Sequence, residues 1–378
     1  MKELLCNFYN RKEDETNPDG YIKFVDANPY FGFNFPYCLY IPYNVDGEVD
    51  LFLCGLTPGV STSLNEGIED AKKQAFDRQI PPIFRKLCSE YGNAMIIPLI
   101  PRLPGLYTSY YAKNVRDNDF SLVKKNREKG RVNITDEELV KFKNIDTQIV
   151  NMVEDAKRLI YEAGYEYNDK IVTVGYSASA KLANLFAALH PGLVKMVIAG
   201  GTSGLGILPM DEYEGIKLTY PIGTSDVPTF DLEEFKKIKQ FYFVGENDIN
   251  DPAMANSELL VDYYDENGHP VYVRDAEGNK IPVKDDNGNI KYILNKDGLM
   301  TPYFEIGYTP EQVTFIHSVL SSNICERFQK QKEIYDEVGV DATMKVYPGT
   351  HSTVFKNEEL DKDILEFYNG KTLVKKLD

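Results

Sequence analysis

Val174-Gly175-Tyr176-Ser177-Ala178-Ser179-Ala180 stands where the β-branched run Ile171–Val174 passes directly into the Ala- and Leu-rich stretch Ser177–Leu189. β-branched residues favour a strand and Ala and Leu favour a helix, so the chain must turn from one to the other at Ser177. A serine at such a turn holds its hydroxyl out at the carboxyl edge of a sheet, above a helix N-terminus whose backbone N–H groups can meet a developing oxyanion. Strand and helix pass close together there, which is why the neighbours must be small. The usual pattern for this arrangement is G-x-S-x-G, and Ser179 occupies the position of the second glycine.

Outward from this point, Val194–Ala199 supplies the next apolar run and completes a β-α-β unit. Upstream, Tyr21–Val25, Cys38–Ile41 and Leu51–Cys54 read as strands bounded by turn residues. A mixed helical stretch runs from Asn65 to about Glu90, interrupted at Pro81-Pro82, and Met95–Ile100 is the continuous apolar run a buried parallel strand requires. Thr135 and Glu138 form a capping-box signature, and Ile149, Met152, Val153, Ala156, Ile160 and Ala163 mark one helical face ahead of Gly164. Downstream, Phe241–Val244 and Met344–Tyr347 read as strands. Thr309-Pro310-Glu311-Gln312 reads as the start of a helix bearing Val313, Ile316, Leu320, Ile324 and Phe328. Strands alternating with helices predict an α/β class, a doubly wound and mostly parallel sheet covered on both faces.

One region departs from that rhythm. Asp265-Glu266-Asn267-Gly268, Asp275-Ala276-Glu277-Gly278, Asp285-Asp286-Asn287-Gly288 and Asn295-Lys296-Asp297-Gly298 recur at ten-residue spacing. Asp opens a turn and Gly accepts the positive φ that closes it, so the expectation is a meander of β-hairpins inserted into the α/β unit. A calcium loop fits less well, because the stretch from Asp285 lacks the sixth-position glycine and the twelfth-position glutamate.

A serine is a weak nucleophile until a histidine takes its proton and a carboxylate orients that histidine. Asp248 stands three residues beyond Gly245, at the end of the strand run Phe241–Val244, which puts it on the same carboxyl edge as Ser177. Glu246 and Asp251 flank it and read as solvated loop charge. Of the four histidines, His190 precedes Pro191 at a helix end, His269 sits beside a hairpin glycine and His317 shares an apolar helical face. Only His351, in Pro348-Gly349-Thr350-His351, follows a strand on a loop. The order Ser177, Asp248, His351 is one of the known chain orders of such a triad.

Composition narrows the class of partner. Over 378 residues there are 42 Lys+Arg against 58 Asp+Glu, a net charge of −16 that repels nucleic acid and anionic membrane surfaces. No apolar run is long enough to span a bilayer and no signal-type segment opens the chain, so a cytoplasmic location is expected. The five cysteines, Cys6, Cys38, Cys54, Cys88 and Cys325, have neither zinc-site nor disulfide spacing and read as free thiols. No metal or cofactor is expected. The chain has no Trp, so aromatic contacts to a substrate would fall to Tyr and Phe.

These features together resemble the α/β-hydrolase superfamily, in particular bacterial esterases of the depolymerase and feruloyl-esterase type, over roughly Tyr37 to Phe355. The carriers are Gly175-Tyr176-Ser177, the helix ending at Leu189-His190-Pro191, the strand leading to Gly200-Gly201, Gly245 with Asp248, and Gly349-Thr350-His351. The resemblance implies Ser177 as nucleophile, His351 as general base and then acid, and Asp248 as the group that orients the imidazole. It also implies an oxyanion hole, assigned to the backbone N–H groups of Ala178 and Leu56. Two departures stand out: Ser179 for glycine, and Cys54 where the family usually carries histidine before the Gly55-Leu56 loop.

The expected activity is hydrolysis of a carboxylic ester through an acyl-enzyme, falling as pH drops through the histidine range near about 6.5. The same triad could serve a peptidase or amidase, and a non-catalytic hydrolase-like binding protein is the alternative from another class. Tyr176, Tyr107 and Tyr110 are candidate substrate contacts. The stretches 102–135, 201–239 and 256–305 are read as insertions in a single domain spanning 1–378, forming a rim, a cap and the hairpins respectively. The negative charge favours a neutral or aromatic ester over an acidic one.

Overall fold

The computed structural model describes residues 3–8, 18–45, 47–56, 61–76, 80–103, 120–250, 261–264, 270–272, 308, 312, 315–321 and 323–370. Within them, alternation along each strand sorts side chains into two cores. Leu39, Ile41, Leu51 and Leu53 lie in one; Cys38, Tyr40, Phe52 and Cys54 lie in the other. A sheet with both faces buried must be covered by helices on both sides, and near-continuous apolar runs such as Leu51–Cys54 and Ala94–Pro98 are the sequence mark of that burial.

The strands in chain order are β1 (Glu3–Cys6), β2 (Gly20–Val25), β3 (Tyr37–Pro42), β4 (Leu51–Cys54), β5 (Ala94–Pro98), β6 (Ile171–Tyr176), β7 (Val194–Gly200), β8 (Glu212–Tyr213), β9 (Ile216–Lys217), β10 (Lys239–Gly245), β11 (Val261–Tyr264), β12 (Pro270–Tyr272) and β13 (Ala342–Tyr347). Nine of these form one sheet in the order β1-β2-β3-β5-β4-β6-β7-β10-β13. From β5 through β13 all neighbours are parallel, whereas β1, β2, β3 and β5 pair antiparallel. The expected α/β, doubly wound, mostly parallel sheet is therefore present, extended by an antiparallel edge. The short strand β1 carries no sequence signal strong enough to announce it.

Two helices that read as continuous are broken. Thr135 caps a short helix, Asp136–Val140, with both halves of the capping box formed. The chain then turns through Asn144 at φ 52° before the long helix Ile145–Glu162. Asparagine tolerates the left-handed region, so it can redirect the chain without disturbing the apolar period on either side. Further on, Ile316–Leu320 and Ile324–Val338 are separate elements. Asn323 Oδ1 takes the N–H groups of both Cys325 and Glu326 and starts a new helix there. The start of the preceding segment, Thr309–Glu311, lies outside the described residues.

The stretch read as a cap, 201–239, sends Leu205, Ile207, Leu208, Leu218, Ile222 and Val227 into the main core. A buried polar network seats it: Asn184 Oδ1 accepts from Ile207 N–H at 2.7 Å, Gln331 Oε1 accepts from Gly206 N–H at 2.7 Å, and Tyr335 donates to Ile207 O at 2.7 Å. In the rim stretch the helix Ser121–Glu128 is described, but Tyr107 and Tyr110 are outside the described residues. Of the hairpin repeats, β11 and β12 pair antiparallel across the first turn sequence, and the later repeats lie outside the described residues.

Candidate active site

The turn between β6 and the helix Ala178–Leu189 is as tight as the sequence requires. Ser177 sits at φ 59°, ψ −124°, a backbone conformation that costs an ordinary L-residue of order 1–3 kcal/mol and persists only where the surroundings enforce it. Its N–H donates to Gly200 O at 2.9 Å, and its carbonyl accepts from Ala180 N–H at 3.1 Å. Gly175 has no alternative: a Cβ there would lie 2.3 Å from the backbone carbon and oxygen of Ser179. Gly55 likewise lets the end of β4 approach the helix, since its Cβ would meet Leu182 at 2.8 Å.

Ser179 explains its own departure from the glycine pattern. Its hydroxyl accepts from Tyr176 N–H and donates to Tyr176 O, each at 2.8 Å. One side chain thus closes the turn that carries Ser177. The other departure, Cys54, is a core residue: it is 1% exposed, and burial pushes its thiol up to about 12. It fills space at the end of β4 and carries no reactive thiolate. Of the two N–H groups assigned to the oxyanion hole, that of Ala178 opens the helix, where no intrahelical acceptor exists. Leu56 is buried at the last described position of its loop; residues 57–60 are outside the described set.

Asp248 and His351 arrive together because their loops continue the pairing of β10 with β13. Gly245 is in register with Tyr347, and beyond it Glu246 N–H donates to Tyr347 O at 2.8 Å and Asn247 N–H to Gly349 O at 2.9 Å. Gly245 permits this approach, as a Cβ would come within 2.6 Å of Gly349 O. The result is a contact of 2.8 Å between His351 Nδ1 and Asp248 Oδ2, across 103 residues of sequence. The Asp248 side chain is fully buried while the imidazole keeps 20% of its surface exposed. Asp248 Oδ1 accepts from Asn250 N–H at 2.8 Å, so both carboxylate oxygens are occupied. An ionised carboxylate can only accept, so a neutral imidazole in this contact carries its proton on Nδ1 and keeps its lone pair on Nε2.

Tyr176 supports the histidine from below. Its ring centroid is 4.9 Å from that of His351 and 4.3 Å from that of Phe355, and its hydroxyl donates to His351 O at 2.5 Å. Burial, reinforced by the Asp248 charge, pushes its phenol up, so it remains a protonated donor. Gly201 leaves room for this stack: a Cβ would lie 2.7 Å from the Tyr176 ring and 3.0 Å from His351 Cε1.

Sequence reasoning missed three further residues here. Asn250 Nδ2 lies 2.8 Å from His351 Nε2; Ser203 Oγ donates to Asn250 O at 2.8 Å; and Arg327, 1% exposed, donates through Nη1 to Ser203 O at 3.0 Å. Only the spacing of Asn250 from Asp248, that of an Asx turn, could have drawn attention to it. The remaining described histidines are elsewhere: His190 Nε2 pairs with Asp146 Oδ2 at 3.2 Å at its helix end, and His317 belongs to the Ile316–Leu320 segment. Among the described residues no cluster of His, Cys, Asp and Glu could hold a metal ion, and no helix is long and apolar enough to cross a membrane.

The strand order, the strained serine between β6 and its helix, and the Asp–His pair beyond β10 and β13 decide the architecture. The chain has the α/β-hydrolase fold. No family model matches the sequence, and no curated protein matches it. Among solved structures, it is similar to poly(aspartic acid) hydrolase-1 from Sphingomonas sp. KT-1, at TM-score 0.48 and 12% identity, covering 93% of this chain and 100% of the other. A poly(3-hydroxybutyrate) depolymerase from Bordetella parapertussis gives 0.43 and 12%, covering 96% and 89%. A fluorophosphonate-binding serine hydrolase from Staphylococcus aureus gives 0.40 and 10%, covering 92% and 98%.

Proposed function

We propose that the chain is a serine hydrolase that cleaves a carboxylic ester through an acyl-enzyme. The observation that carries this reading is the buried Asp248 carboxylate 2.8 Å from His351 Nδ1, on the same sheet edge as the strained Ser177. In the reaction, Ser177 Oγ bonds to the ester carbonyl carbon and its proton passes to His351 Nε2. The C–O bond to the alcohol then breaks and Nε2 returns the proton to the departing oxygen. Water repeats the sequence on the acyl-enzyme, giving the carboxylic acid and restoring Ser177. The Ala178 and Leu56 N–H groups would hold the oxyanion in both halves. A net charge of −16 favours neutral or aromatic esters over acidic ones.

The test is turnover of a panel of short-chain, long-chain and aromatic esters beside matching anilides. Ester cleavage with the anilides untouched is expected. Faster anilide cleavage would make the chain an amidase using the same groups, and a folded protein that neither cleaves the panel nor reacts with a fluorophosphonate would be a binding protein.

Tyr176 offers a finer check of how the base is held. Tyr176→Phe keeps the ring stack and removes the hydroxyl, leaving His351 O without its donor at a cost of about 1–2 kcal/mol. A fall in kcat of roughly tenfold with little change in KM is expected, because the imidazole and not the substrate loses its support. A rise in KM at constant kcat would mean that Tyr176 contacts substrate directly.

A further inference from the structure

His351 Nε2 is the atom that must take the Ser177 proton, and in this structure it faces Asn250 Nδ2 at 2.8 Å. With the imidazole proton committed through Nδ1 to Asp248, Nε2 offers a single lone pair, and only the nitrogen side of the Asn250 amide can satisfy it. A lone pair engaged by an amide N–H cannot at the same time accept from a serine hydroxyl. The backbone of Asn250 is held at both ends: its N–H donates to Asp248 Oδ1 at 2.8 Å, and its carbonyl accepts from Ser203 Oγ at 2.8 Å. Ser203 is fixed in turn by the buried Arg327, which donates to Ser203 O at 3.0 Å and to Ser321 O at 3.0 Å. Loop movement is thereby opposed, whereas rotation of the Asn250 side chain alone would release Nε2.

From this arrangement we infer that Asn250 is a positioning residue that caps the base in the resting enzyme, and that its side chain turns away when substrate brings Ser177 and His351 together. The inference rests on the serine hydrolase reading for its consequence in catalysis, but the cap itself is a property of the imidazole. The Arg327, Ser203 and Asn250 chain is then the support on which the cap pivots.

Asn250→Ala separates the roles, because the variant keeps the backbone N–H to Asp248 and loses only the amide. Two measurements are made on the full chain. The first is the second-order rate constant for labelling of Ser177 by a fluorophosphonate. It is expected to rise roughly fivefold, the factor one neutral hydrogen bond represents, whereas a residue of merely structural value would lower it on removal. The second is the 15N resonance of the unprotonated His351 Nε2, which is expected to move when the amide donor is lost. If the parent labels and the variant labels at the same rate or more slowly, the capping role is overturned while the hydrolase reading stands. If neither labels, the hydrolase reading fails. An Nε2 resonance that does not move overturns the cap whatever the labelling result.

Discussion

Ser177→Ala is expected to lower kcat toward the best ester of the panel by about 10⁶-fold and to abolish fluorophosphonate labelling, with an unchanged thermal unfolding midpoint. The loss is large because the acyl-enzyme route disappears: neither His351 nor the oxyanion donors can replace the oxygen that bonds to the carbonyl carbon. Stability should hold, because the positive φ at Ser177 is as costly for Ala as for Ser. The Ser177 backbone bonds to Gly200 and Ala180 do not involve the side chain. Residual turnover within tenfold of the parent would show that another group is the nucleophile.

The second large effect concerns the acid. Asp248→Asn should reduce kcat by roughly 10⁴-fold, by the logic that governs such triads in general. The side chain is fully buried and accepts from His351 Nδ1 and from Asn250 N–H. An amide keeps the shape but has one accepting oxygen. If that oxygen holds the Asn250 N–H, the amide nitrogen faces Nδ1 and forces the proton to Nε2, so the base is lost. If it turns the other way, the Asn250 N–H is orphaned beside a buried donor. Steady-state kinetics measure the fall; a loss of less than tenfold would mean that another carboxylate, such as Glu246, orients the imidazole.

Much of this arrangement is legible without coordinates, for local reasons. The run Leu51–Cys54 is a strand over the residues its composition marks, and the Ile171–Val174 run ends in the turn that Gly175 and Ser177 announce. The Ser, Asp, His order is legible because each residue follows its own strand. What escapes has a different cause. Asn144 redirects a helix with a residue that leaves the apolar period intact, so the break between Val140 and Ile145 is silent. Ser179 reads as a defect in a motif until its two bonds to Tyr176 are seen. The contact between Asn250 and His351 spans 101 residues and depends on where two loops come to rest, which no spacing rule encodes.

The register of β10 against β13, carried past both strand ends by the Glu246 and Asn247 bonds, also bears on biosynthesis. As the chain is synthesised from its N-terminus, the turn bearing Ser177 can form well before His351 has been made. Closing the intervening loop has an entropic cost that rises only slowly with length and is met when the final strand docks. Until then Ser177 has no histidine available to it from that loop. On the proposed reading, a nascent or C-terminally clipped chain would carry Ser177 in an inert form, and reactivity toward an electrophilic probe would report completed folding.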